Sequence, residues 1–187
     1  MKFRAMIMLS GSLALAACGQ KSDTANADMN AAGDNIMVAN DTVAAAPATA
    51  QGFANAAAAS DRFEIESSKL AESAAQSAAV KSFAAKMVSA HTASTAKLKA
   101  AAAGLSPAVT PDDTLSAEQQ SSLDSLKPLK GAPFDSAYAA AQVDAHQKAL
   151  DALNGYAASG DNAKLKELAS GMVPTVTAHL NMANALK

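Results

Sequence analysis

The chain has three histidines, and each falls on an apolar stripe of its own segment. Val80, Phe83, Met87, His91, Ser94 and Leu98 recur at steps of three and four. Val143, His146, Leu150 and Leu153 keep the same rhythm, as do Leu165, Leu168, Met172, Val176, His179 and Leu186. Residues so spaced share one face of an α-helix. A fourth stripe, Phe63, Glu66, Leu70 and Ala74, carries a carboxylate in the same setting. One carboxylate with two or three imidazoles suits Zn, Fe, Mn or Cu. Glu66, His91, His146 and His179 are therefore the candidate metal ligands. The alternative use of the same four groups is a hydrogen-bonded polar layer that fixes helix register. A di-iron carboxylate centre would need a Glu three residues before each ligand histidine. Val88, Val143 and Val176 hold those positions, which argues against oxidase-type di-iron chemistry.

These groups meet only if their helices stand side by side. The first helix is predicted over Gly52–Gln76 and the second over Ala78–Ala103, with a tight reversal near Ser77. Gly104 stops the second helix, and Pro107 and Pro111 follow it. A helix of about ten residues opens at Ser116, its N-cap, with Gln119 at the capping-box position. Pro133 and Asp135 suit the first turn of the next long helix, which runs to about Ala158. The last helix is predicted over Ala163–Leu186, and Pro174 should kink it. Four long helices, with the short one in the crossover, make an all-α, up-down four-helix bundle.

Heights within the bundle follow from residue counts. His91 lies thirteen residues before Gly104, and His146 thirteen after Pro133. They are level if the second helix descends and the next long one ascends from the same end. Glu66 is eleven residues before Ser77 and His91 fourteen after it, an offset of ~4–5 Å at ~1.5 Å per residue. His179 joins them if Pro174 allows. The expectation is a single polar layer at mid-bundle.

The N-terminus carries a processing signal. Lys2 and Arg4 precede a small apolar run, Ala5–Ala17, shorter than the ~20 residues of a membrane-spanning helix and fitting a secretory leader. Leu15–Ala16–Ala17–Cys18 has the form of a bacterial lipobox, cut before Cys18, which is then lipidated. Cys18 is the only cysteine, so no internal disulfide exists. Several acyl chains on one residue anchor a protein stably. Gly19 stands where an aspartate would signal inner-membrane retention, which favours the outer membrane. The alternative is an ordinary signal peptide with Cys18 a leftover thiol. From Gly19 to Gln51 the chain is rich in Ala, Asn, Asp, Thr and Ser without a sustained period, the composition of a flexible tether. The expected division is 1–17 leader, 18–51 lipidated cysteine and tether, and 52–187 helical domain.

Composition bounds the rest. Of 187 residues, 50% are hydrophobic but only 4% aromatic, so alanine, the best helix former and a poor core filler, dominates the apolar count. A net charge of −2 gives no basic footprint for nucleic acid. Nucleophile elbow, phosphate loop and dinucleotide fingerprint are missing from the sequence. Phe134 and Tyr138, one turn apart, read as core, and so do Met87, Met172 and Met182.

Four segments in order, EIESSKLA (Glu64–Ala71), VKSFAAKMVSAH (Val80–His91), FDSAYAAAQVDAHQKAL (Phe134–Leu150) and VPTVTAHL (Val173–Leu180), resemble a family. It is the bacterial domain of unknown function 4142, ferritin-like and predicted to belong to the outer membrane. The likeness spans about Gly52–Leu186. The family pattern usually has an acidic residue just before the first histidine and often before the second, where this chain has Ala90 and Ala145. The resemblance implies a ferritin-like four-helix bundle in the cell envelope and no established activity.

Three functions follow as expectations. The leading one is a non-enzymatic, lipid-anchored periplasmic bundle, an envelope interaction or stress-related protein held to the membrane through Cys18 and meeting an envelope protein partner. The second is a metal-binding or metal-dependent redox protein using Glu66, His91, His146 and His179. The third is a carrier with a small ligand inside its alanine-rich core.

Overall fold

The structure, a computed structural model, describes residues 47–187. The predicted leader, the lipidation site at Cys18 and the tether up to residue 46 lie outside the described residues. Five helices and no strand occur among the described residues: α1 (Ala50–Ala74), α2 (Ala78–Ala103), α3 (Ala117–Leu126), α4 (Gly131–Ser159) and α5 (Ala163–Asn184). Thr49 starts α1 two residues earlier than predicted, because its hydroxyl accepts from Gly52 N at 3.1 Å. Ser77 caps α2 through Val80 N. Ser116 and Gln119 form the expected reciprocal capping box at α3. Asn162 caps α5, which continues through Pro174 as one helix.

The long helices pack as two hairpins, α1 on α2 and α4 on α5, and the hairpins meet through α1·α4 and α2·α5. Asp135, in the second turn of α4, fixes their relative direction. Its carboxylate accepts from Gln76 N at 3.1 Å and Ser77 N at 2.8 Å, so α4 begins beside the α1–α2 turn. At the other end Lys164 Nζ donates to Gly104 O, and Asp161 N to Ala48 O. Helices α2 and α4 therefore run parallel. The crossover from Gly104 to Lys130 must climb the full height of the molecule rather than turn back at one end. It is held against α1 on the way: Gln51 Nε2 donates to Thr110 O, Asp112 N to Asn55 Oδ1, and Arg62 Nη1 to Asp113 O. At the top, Leu123 and Leu126 of α3 are buried.

This corrects the assumed ascent of α4. The histidines are level for a different reason: each lies twelve to sixteen residues above the lower end of its helix. His91 is twelve residues from Ala103, His146 thirteen from Ser159 and His179 sixteen from Ala163.

The core is two apolar clusters. The upper one includes Phe83, Met87, Leu126, Phe134 and Tyr138. The lower one includes Phe53, Leu98, Leu153, Tyr156 and Leu165, with Phe53 and Tyr156 stacked at 4.2 Å. Each large side chain so buried contributes roughly 1.5–3 kcal/mol. Between the clusters, from all four long helices, come the buried polar residues Asp61, Glu64, Ser67, Ser68, His91, Gln142, His146 and His179.

Candidate metal centre

Three of the four predicted ligands meet in this layer. His91, His146 and His179 are buried, and one nitrogen from each lies within 4.8 Å of the others. Their ring centroids are 5.5–5.7 Å apart. Nitrogens at that separation have a common point no more than about 2.8 Å from each, against metal–imidazole bonds of ~2.0–2.1 Å. Side-chain shifts below ~1 Å would close the difference.

Glu66 is not among them. Its carboxylate accepts from Arg62 Nε at 2.7 Å on the outer face of α1, with the side chain 42% exposed. Two other acids of α1 enter the layer instead, Asp61 and Glu64. The stripe on α1 that faces the core carries Asp61, Glu64, Ser67, Ser68 and Ala71. A pattern sought among large apolar residues reads that face as solvent-exposed, which is how Glu66 took the place of Glu64. The one available signal was small and polar residues recurring at helical steps.

The hydrogen bonds decide which nitrogen each ring presents. His91 Nδ1 lies 2.8 Å from Asp61 Oδ1, and a carboxylate only accepts, so this nitrogen carries a proton. Asp61 Oδ2 also accepts from the Thr95 hydroxyl at 3.0 Å. His146 Nδ1 lies 2.8 Å from Gln142 O, a carbonyl, and is likewise the protonated nitrogen. The Nε2 atoms of both rings are left buried and without a partner, and so is Nδ1 of His179. A ring nitrogen fixed by an acceptor while its other nitrogen points at a shared space is how metal-ligating histidines are held. The carboxylate behind His91 thus comes from Asp61 on α1, not from the neighbouring position at Ala90.

Glu64 is 1% exposed, and neither of its oxygens has a hydrogen-bond donor. Its Oε1 is 3.6 Å from His146 Nδ1, on the far side of that ring from Nε2 and beyond hydrogen-bond length. The charge of His91 and, less strongly, the Gln142 amide, whose Nε2 donates to Ser67 Oγ at 3.2 Å, favour the charged carboxylate. Burial dominates and pushes the Glu64 carboxyl up to about 7. Burial also drives His146 and His179 down to about 4, keeping both neutral near pH 7. His91 is moved the same way by burial, but its hydrogen bond to Asp61 and the charges of Glu64 and Asp61 outweigh that and raise it. Positive charge in the metal-free layer therefore concentrates on His91.

The unpartnered buried atoms make an unequal set. They are Glu64 Oε1 and Oε2, Gln142 Oε1, one nitrogen on each histidine, and Ser94 Oγ. Gln142 Oε1 and the Nε2 atoms of neutral His91 and His146 are acceptors facing no donor, as is Glu64 when ionised and His179 Nδ1 when the proton of that ring is on Nε2. A polar layer that only set helix register would match donors to acceptors, since each buried orphan costs ~1–3 kcal/mol. An excess of lone pairs is what a cation satisfies.

Comparison with known proteins agrees with the fold. Residues 37–186 match the family described as Domain of unknown function (DUF4142). No curated protein matches the sequence. Among solved structures, CopM in the Cu(II)-bound form is similar at a TM-score of 0.61 and 14% identity, covering 73% of this chain and 94% of that one. At that identity the likeness shows the fold.

Proposed function

We propose that this chain, which belongs to the Domain of unknown function (DUF4142) family, binds one transition-metal ion on His91, His146 and His179. The observation that carries the reading is three buried histidines with one nitrogen of each within 4.8 Å of the others, an unpartnered buried nitrogen on every ring, and the second nitrogen of His91 and of His146 already held by an acceptor. Three neutral imidazoles suit Zn, Cu, Fe or Ni. The similar CopM structure holds Cu(II), which makes copper the first ion to test.

The order up, down, down, up with one long crossover supports placing the bundle in the ferritin-like class. The lipobox at Cys18 and the leader before it support a lipid-anchored protein of the outer membrane, facing the periplasm. The role that combines these is capture of metal in the envelope, without catalysis. Elemental analysis of protein purified without chelator tests it, beside a His91→Ala/His146→Ala double variant. One equivalent of metal in the parent, lost in the variant, is expected. No metal in either, with the variant merely less stable, returns the layer to a structural role.

A further inference from the structure

The ion that satisfies three imidazoles could be a monocation such as Cu(I) or a dication such as Cu(II) or Zn(II). Imidazole binds both, so the histidines do not decide between them. The charges around them differ in effect. Asp61 and Glu64 are both buried in the layer, and no lysine or arginine is buried with them among the described residues. Asp61 is engaged by His91 Nδ1 and the Thr95 hydroxyl. Glu64 has neither a hydrogen-bond donor nor an ion-pair partner within hydrogen-bond length.

We propose that Glu64 sets the charge of the ion the site accepts, acting as the second buried negative charge that makes a dication the preferred guest over a monocation. The inference rests on the metal-site reading above. A dication bound among neutral imidazoles is balanced by two carboxylates, whereas a monocation leaves one negative charge uncompensated in a low-dielectric layer. The attraction between ion and carboxylate scales with the ion's charge, so removing one carboxylate weakens the dication more. Glu64 exerts this from behind the His146 ring, 3.6 Å from Nδ1, as a specificity-determining residue and not as a ligand.

The test uses the full chain with Cys18→Ser, which removes its only thiol. Affinities for Cu(II), Zn(II) and Ag(I), the last standing for a soft monocation, are measured by competition with coloured chelators. Glu64→Gln should lower Cu(II) and Zn(II) affinity by about 10–100-fold and Ag(I) affinity by only about the square root of that, about 3–10-fold. The Cu(II)/Cu(I) potential should rise by the ratio of the dication loss to the monocation loss, about 3–10-fold or about 30–60 mV for one electron. Glu66→Gln, on the outer face of the same helix, should change none of these. Should Glu64→Gln not fold by circular dichroism, Glu64→Leu, which removes the charge from the same buried space, carries the same measurement. Equal losses for Ag(I) and the dications, with an unmoved potential, overturn the inference while leaving the metal site standing. Failure of the parent chain to bind any of the three ions overturns the site itself.

Discussion

Replacing Glu64 by glutamine should stabilise the metal-free protein, and more at high pH than at low. The unfolded chain ionises this carboxyl near its ordinary value of 4.5, whereas burial holds it at about 7 in the folded protein. Between those values the folded state binds the extra proton, so stability falls as pH rises through the window and stays low above it. At about 1.4 kcal/mol per unit, the accumulated loss by pH 8 is about 3 kcal/mol. It is below about 1 kcal/mol at pH 5, which lies only about half a unit above the unfolded value. Glutamine keeps the shape and cannot ionise, so the difference between variant and parent should grow by about 2 kcal/mol from pH 5 to pH 8. Groups other than His91, whose charge Glu64 helps to hold, titrate alike in both proteins and drop out of that difference. Urea unfolding of the two proteins in chelator, read by circular dichroism across this range, measures it. Parallel stability curves, or a parent that gains on the variant as pH rises, would refute the assignment of Glu64 as a buried acid without a partner.

Other outcomes follow from single contacts. Asp61→Asn replaces the acceptor that holds His91 Nδ1–H and should weaken metal binding by about 10–100-fold in competition titration, with a smaller effect on fold. Glu66→Gln should leave metal affinity unchanged and stability within about 1 kcal/mol in denaturant unfolding, since it breaks only an exposed pair with Arg62. Gly160→Ala sets a Cβ about 2.6 Å from the ring of Tyr156, which is stacked on Phe53. The ring must move, and the unfolding midpoint should drop by the equivalent of about 1–3 kcal/mol.

Much of the architecture can be read from the sequence because local signals carry it. Ser77, Ser116 and Gln119 announce helix starts through their own side chains, and Gly104 a helix end. The register of α2 and α4 is legible because large residues alternate with polar ones, so His91 and His146 stand out as intruders on an apolar face. Helix α1 is different. Its buried face is built mostly of alanine, serine and two acids, with Phe53 and Phe63 its only large apolar residues, and hydropathy spacing placed the wrong glutamate in the core. The direction of α4 was hidden as well. Nothing local in residues 104–130 says whether the chain turns back or climbs; Asp135 bonding to the α1–α2 turn settles it through contacts 58 and 59 residues apart in sequence. The acceptor excess of the layer is a property of four helices together, which no single stretch displays.

The central claim is that His91, His146 and His179 hold one ion. X-ray absorption at the copper or zinc edge, on the Cys18→Ser chain loaded with one equivalent, tests it most directly. Three imidazole nitrogens at about 2.0 Å with no sulfur are expected, with loss of that signature in His146→Ala. A spectrum of oxygen ligands alone, or one unchanged by His146→Ala, would contradict it.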